Sequence, residues 1–270
     1  MKNSVKVFRS EIYRLIHSKK LLIMIGLIIL LCIIGVQAYT EMASNVANNL
    51  PIADKYPNAL KMLLLHLNSV EFTRLSATDF IFKNYFSFFA IFMVLIAADI
   101  FAIDKERGTM KFAILSGITP TQIYAGKLIS ALTVTMGVTL INFAVAFILG
   151  LICIGGNIIP MDLLSVFGIY LSASVPGMAV VTIISVLSLL PANSKILIGG
   201  GRISVFVLGL FDSMNIAGES LSPIGLLSAF GNDIPVTNAG FFASLFTSFA
   251  YTIVFIIILM AAVKRIDYFD

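Results

Sequence analysis

Apolar residues in this chain come in long blocks, and the polar positions are gathered between them. A helix that crosses a bilayer needs about 20 mostly apolar residues. Six blocks reach or approach that length, at 21–39, 85–103, 123–153, 163–190, 196–212 and 240–263. The pattern predicts an all-α integral membrane protein with six transmembrane helices, forming one transmembrane domain over 1–270. The first block has a longer apolar core than a cleaved signal peptide and about 20 residues precede it, so it is expected to stay as a span.

Ahead of that block the period changes. Val5, Phe8, Ile12, Leu15 and Ile16 recur at helical spacing, with Lys6, Arg9, Tyr13, Arg14 and His17 on the remaining face. Residues 1–20 therefore read as a basic amphipathic helix suited to the headgroup layer, with Phe8, Ile12, Leu15 and Ile16 as its interfacial residues. Two further stretches break the block pattern. Residues 41–84 contain NVANNLP and then ALKMLLLHL, where Leu60, Leu64 and Leu67 suggest a short external helix or lid. Residues 213–239 are rich in Gly, Pro, Ser and Asn, which predicts a broken external helical segment between spans five and six.

Composition sharpens this picture. The chain is 59% hydrophobic and 12% charged, against about 45–50% and 25% for a soluble domain, so soluble classes are excluded. With alternating spans, fourteen of the 18 Lys and Arg fall on one side, and Lys55, Lys61, Arg74 and Lys83 on the other. The positive-inside rule then places both termini in the cytoplasm, and the net charge of +4 follows without a nucleic-acid partner. Cys32 and Cys153 sit in apolar blocks and read as small buried hydrophobes; His17 and His66 are far apart. No His-Glu-x-x-His or Gly-x-Ser-x-Gly occurs, and nothing reads as a metal or catalytic constellation.

One stretch gathers charge: DKERGTMKFAILSGITPTQIYAGK, Asp104 to Lys127. Gly108 permits a sharp turn. MKFAIL is apolar but too short to span, and Ser116-Gly117 can stop it. Thr119, Pro120 and Gln122 fit a capping box with Pro at the first helical position. The order is a span, a charged turn, a short cytoplasmic helix, a stop and a capped new span. An ordinary charged loop is the simpler alternative.

This stretch resembles the signature of ABC-2 type permeases, the membrane subunits of bacterial ABC exporters, through Asp104, Glu106, Arg107, Gly108, Thr109, Leu115, Pro120, Gly126 and Lys127. The layout agrees over the whole chain. A departure lies at SGITPTQ, where the family usually has Pro, an aliphatic residue, Ser and Arg. The resemblance implies that the short helix is a coupling helix docking on a separate ATPase, through Asp104, Lys105, Glu106, Arg107, Gly108, Thr109, Lys111 and Phe112. It implies two ATPase copies and a second permease chain, as a homodimer or related heterodimer, in a bacterial plasma membrane. The chain has no phosphate-binding loop of its own: Gly126-Lys127 is followed by Leu128. It is thus expected to be non-catalytic and without cofactors, with ATP and Mg bound by the partner.

Among intramembrane polar residues, Asp99 and Arg202 both fall toward the cytoplasmic side and are candidates for a pair; Asn142 could line a pathway or bond to neighbouring backbone. The expected function is export of an amphipathic or hydrophobic cargo, such as a peptide, peptide antibiotic, lipid or drug, with antimicrobial-peptide export or immunity as the family analogy. The alternatives are an ATP-independent channel or secondary transporter, or a membrane scaffold.

Overall fold

A computed structural model of the chain describes residues 2–48, 50–56, 58–77, 88–156, 159–190, 194–213 and 239–265. All regular structure among these residues is helical. In chain order the helices are α1 (Lys2–Ile16), α2 (Lys19–Ala47), a 3-10 turn (Pro51–Lys55), α3 (Asn58–Leu65), α4 (Ser69–Ala77), α5 (Phe88–Glu106), α6 (Thr109–Leu115), α7 (Pro120–Cys153), α8 (Pro160–Leu187), α9 (Ser194–Ser213) and α10 (Ala239–Val263).

Four of them are long and apolar enough to cross a membrane: α2, α7, α8 and the Leu245–Val263 part of α10. Their outer surfaces carry exposed Leu22, Ile33, Ile148, Leu164, Phe246 and Ile257, as a surface solvated by lipid should. The expected span at 85–103 corresponds to α5, whose last eight residues include Asp99, Asp104, Lys105 and Glu106.

The helices alternate in direction. Lys20 at the start of α2 pairs with Asp99 near the end of α5. Lys127 at the start of α7 donates to the Ile100 carbonyl at 2.5 Å, and Lys105 at the end of α5 donates to the Ser188 carbonyl at the end of α8. One end of the bundle, the charged end, therefore gathers the starts of α2 and α7 and the ends of α5 and α8.

The far end holds more helix than the pattern of residues 41–84 predicts. α2 continues to Ala47, well past the apolar block. A short helix stands where Leu60 and Leu64 suggested one: α3 has Leu64 buried and Leu60 packed against the core. α4 is an addition, wedged among α2, α7 and α8, with Ser69, Phe72, Thr73, Leu75, Ser76 and Ala77 buried. The Ser69 N–H donates to the Gly155 carbonyl at 3.0 Å, at the end of α7. Ser76 lies 3.7 Å from the Cys32 thiol, which in turn faces the Asn142 amide oxygen at 3.8 Å. α5 begins about midway along α7, with Phe89 and Thr135 both closing on Gly177 of α8. α4 and α5 together thus cover the depth that α7 covers alone. The sequence pattern missed this because nine residues of α4, half of them Ser, Thr, Glu or Arg, have no span-like block. α4 fits because Gly150 leaves room for Phe72 and the Ser69 backbone: a Cβ there would sit 3.0 Å from the Ser69 carbonyl oxygen.

α8 runs unbroken through Pro176. Its Gly177 leaves room for the Phe89 ring, which would lie 2.7 Å from a Cβ at that position. Cys32 is buried as expected, but Cys153 is exposed, together with Leu151 and Ile152 in the last turn of α7. The broken segment expected at 213–239 lies, after Ser213 and before Ala239, outside the described residues.

Candidate functional site at the charged end

The site begins with two turns that the backbone itself dictates. α5 ends at Glu106 and α6 starts at Thr109. Gly108 between them has φ 67°, the left-handed region that only glycine enters cheaply. After α6, Gly117 at φ 86° ends the helix: Gly117 N–H donates to the Ile114 carbonyl and Ile118 N–H to the Ala113 carbonyl, the paired bonds of a Schellman stop. Then Thr119 caps α7. Its side chain accepts from the Gln122 N–H at 3.4 Å, and the Gln122 side chain accepts from the Thr119 N–H at 3.3 Å, with Pro120 first in the helix. The chemistry expected from Gly108, Ser116-Gly117 and Thr119-Pro120-Thr121-Gln122 is all present.

α6 hangs from these turns with one side in and one side out. Met110 is buried, whereas Phe112 is 72% and Leu115 71% exposed. Glu106, Arg107 and Lys111 are also exposed. Asp104 and Lys105, expected as outward contacts, turn inward instead. Asp104 accepts from Thr109 at 3.0 Å and pairs with Lys127 at 2.5 Å and Arg14 at 3.2 Å.

Lys127 is the centre of the cluster. It is 2% exposed and also pairs with Glu11 at 3.1 Å; Glu11 in turn meets Arg14 at 2.6 Å. Arg14 reaches further, donating to the Asp99 carbonyl at 3.3 Å. With the Lys20–Asp99 pair, whose lysine is exposed, three carboxylates face three cations. Burial works to raise the Asp104 carboxyl, but Lys127, by charge and hydrogen bond, overcomes it with help from Arg14 and Thr109, and holds the group below the usual range. For Glu11 the balance tips the other way: burial pushes it up against the pull of Lys127 and Arg14. Removing one member of such a buried set leaves an uncompensated charge, which costs about 3–5 kcal/mol.

This cluster relocates α1. The interfacial residues expected from sequence divide: Leu15 is buried against protein, Phe8 and Ile12 are half-buried and Ile16 is exposed. The seated face is centred on Glu11, 5% exposed, and lies along the first turns of α7. Gly126 makes the seat, since a Cβ there would come within 2.7 Å of the Ser4 carbonyl oxygen and the Val7 Cβ. Asn3 donates to Gln122 at 3.3 Å and Ser130 to the Phe8 carbonyl at 3.3 Å. Val5, Tyr13 and Ile16 remain exposed on the outer side.

Asp99 and Arg202 do not pair. Asp99 is taken by Lys20, whose chain start lies beside it, while Arg202 is exposed on α9. Gly201 next to it packs so tightly on α5 and α8 that a Cβ would sit 2.8 Å from Val94. Asn142 is buried between α7 and Cys32 of α2. Sequence reasoning missed Glu11, Arg14 and Lys20 as members of the site. One signal was present: Glu11 is the sole acid before Glu41 in an otherwise basic segment.

Apolar helices long enough to cross a bilayer, with a short helix suspended at one end beside a charge cluster, define an integral membrane protein. The chain belongs to the ABC-2 family of transporter proteins, whose family model matches residues 5–210, from α1 into α9. No curated protein sequence matches it. Family members are membrane transport components, generally non-catalytic, and generally work with an ABC ATPase.

Proposed function

We propose that this chain is the permease subunit of an ATP-driven exporter, with α6 as the coupling helix received by a separate ATPase. The observation that carries this reading is the form of α6: Lys111, Phe112 and Leu115 face out while its root is fixed by Asp104 and Lys127. An exposed apolar pair on a short, rigidly mounted helix is what a protein groove needs for docking. Glu106 and Arg107 add exposed charge beside it.

In this reading the chain crosses the bilayer six times, α4 and α5 sharing the second crossing, and the charged end faces the cytoplasm with both termini. Two permease chains and two ATPase copies make the transporter, in a bacterial plasma membrane. ATP and Mg belong to the ATPase. The outer side of α1, with Val5, Tyr13 and Ile16, rests in the headgroup layer beside the ATPase interface. The cargo is amphipathic or hydrophobic, because the buried hydroxyls of α7 and α8, such as Thr135, Thr139, Thr182 and Ser185, bond to their own helix carbonyls and present little fixed polarity. A peptide or peptide antibiotic fits this best, by family analogy.

The test is co-expression with an ABC ATPase from the same genome. The permease should capture the ATPase on purification and raise its ATP turnover. Phe112→Ala with Leu115→Ala should lower capture at least about 10-fold, the equivalent of about 1.4 kcal/mol, with membrane insertion unchanged. Full capture by this double variant moves the docking site elsewhere.

A further inference from the structure

The sequence pattern groups Lys105 with the outward contacts of the charged turn, but its ammonium is directed away from that surface. It donates to the carbonyl of Ser188, the C-cap of α8. End carbonyls of a helix have no partner within it, and a cation there is favoured by the helix dipole. The hydroxyls nearby do not compete for it, since Thr182, Ser185 and Ser188 each donate to the carbonyl three residues before. Burial, and then the neighbouring charge of Lys127, hold Lys105 below the usual lysine range, so its position is bought by the bond it makes.

α5 meets α8 at a second point. Phe89 fills the space over Gly177, where a Cβ would be 2.7 Å from the ring. Phe89 and Lys105 are 16 residues apart on α5, about 24 Å along a helix axis. α5 packs on both α8 and α9; Phe89 makes a tight ring contact with α8 in the interior, and Lys105 adds a polar tie to the end of α8. Beyond Ser188 only residues 189–193 precede α9, and Gly201 of α9 closes on both Val94 of α5 and Ile184 of α8. Whatever moves the end of α8 moves α9.

We infer that Lys105 is the positioning residue through which displacement of the α6 turn reaches α8 and α9. Asp104 and Lys127 tie the turn to α7 and α1; Lys105 ties it to the other half of the bundle. This rests on the coupling role proposed for α6, but its first test does not require the ATPase.

The test uses the full chain in lipid nanodiscs, with Cys32→Ala and Cys153→Ser, and spin labels at Lys111→Cys on α6 and Leu190→Cys beyond α8, both exposed positions. The native residue at 105 should give one narrow distance distribution. Lys105→Met should broaden it, or shift it by about 2 Å or more, the scale of a helix displacement at an interface. Lys105→Arg, which keeps a cation for the carbonyl, should restore it. Lys264→Met, which removes the same charge from an exposed position after α10, should leave it native. A native distribution for Lys105→Met, or an equal effect from Lys264→Met, overturns the inference. In a second arm, the ATPase and a non-hydrolysable ATP analogue are added. Lys105→Met should still capture the ATPase, but its Lys111–Leu190 distance should change with nucleotide while the native distance holds. If even the native chain captures no ATPase, the permease reading fails and the first arm still decides the role of Lys105.

Discussion

The two ends of this bundle are held by different chemistry. At the charged end, α1, α2, α5 and α7 meet through buried ion pairs centred on Lys127, with Glu11, Arg14 and Asp104 around it. At the far end, α4 meets its neighbours through close packing and hydrogen bonds such as Ser69 N–H to the Gly155 carbonyl, Tyr170 hydroxyl to the Thr73 carbonyl at 3.0 Å, and Phe72 against Gly150, while the Glu71–Arg74 pair at 3.6 Å lies within α4 itself. Packed apolar and neutral contacts are short-ranged and suit a fixed joint. Charge pairs tolerate small displacements and re-form, yet fail steeply when one partner is lost. The charged end therefore depends on every member of its ion-pair set, and the far end on the fit of its packed surfaces.

The strongest way to break this contrast is Lys127→Met. It should cost about 3–5 kcal/mol, read as a fall in thermal stability in detergent, because Glu11 and Asp104 lose their shared cation. Gly126→Ala comes next, at about 1–3 kcal/mol for an overpacked contact. Its methyl has only backbone and a Cβ to push against, so α1 must lift. The chain has no Trp, so a Phe8→Trp background gives a single reporter, whose emission should shift red on Gly126→Ala. At the far end Tyr170→Phe should cost only about 0.5–1.5 kcal/mol, one hydrogen bond, by the same thermal assay. Thr119→Ala should lose about 1 kcal/mol and fray the junction of α6 and α7.

The smallest effect is the response to pH. Glu11 is raised in the fold, so the folded state favours its protonated form. Its contribution to stability should rise as pH falls through that raised value toward the unfolded value of about 4.3. Asp104 is lowered; its contribution is present above its unfolded value of about 3.9 and is lost as pH falls through the lower folded one. Denaturation between pH 7 and 4 should therefore show a gain that Glu11→Gln abolishes, and no loss from Asp104 until the solution is more acidic. A loss beginning near neutral pH would reverse the assignment.

Much of the charged end was legible in the sequence, because its features are local. Gly108, Ser116-Gly117 and Thr119 to Gln122 act within a few residues, and their turn and cap chemistry can be read directly. The seat of α1 was not legible, because it depends on Gly126 and Lys127 meeting Ser4, Val7 and Glu11 across more than a hundred positions. Hydrophobic periodicity could not show it either, since the buried side of α1 is organised around the Glu11 carboxylate. α4 escaped for a related reason: its burial comes from glycines on other helices. Asp99 and Arg202 were joined by depth alone, and a nearer cation, Lys20, was already in place.

The account stands or falls on whether α6 is the surface an ATPase receives. A photo-crosslinking residue at Phe112, in the full chain co-expressed with the ABC ATPase that it captures, tests this most directly. The same residue at Ile253, exposed on α10, serves as the reference. The account predicts a covalent adduct with the ATPase from position 112 and none from 253. Equal crosslinking from both positions, or none from 112 while the two proteins still co-purify, would contradict it.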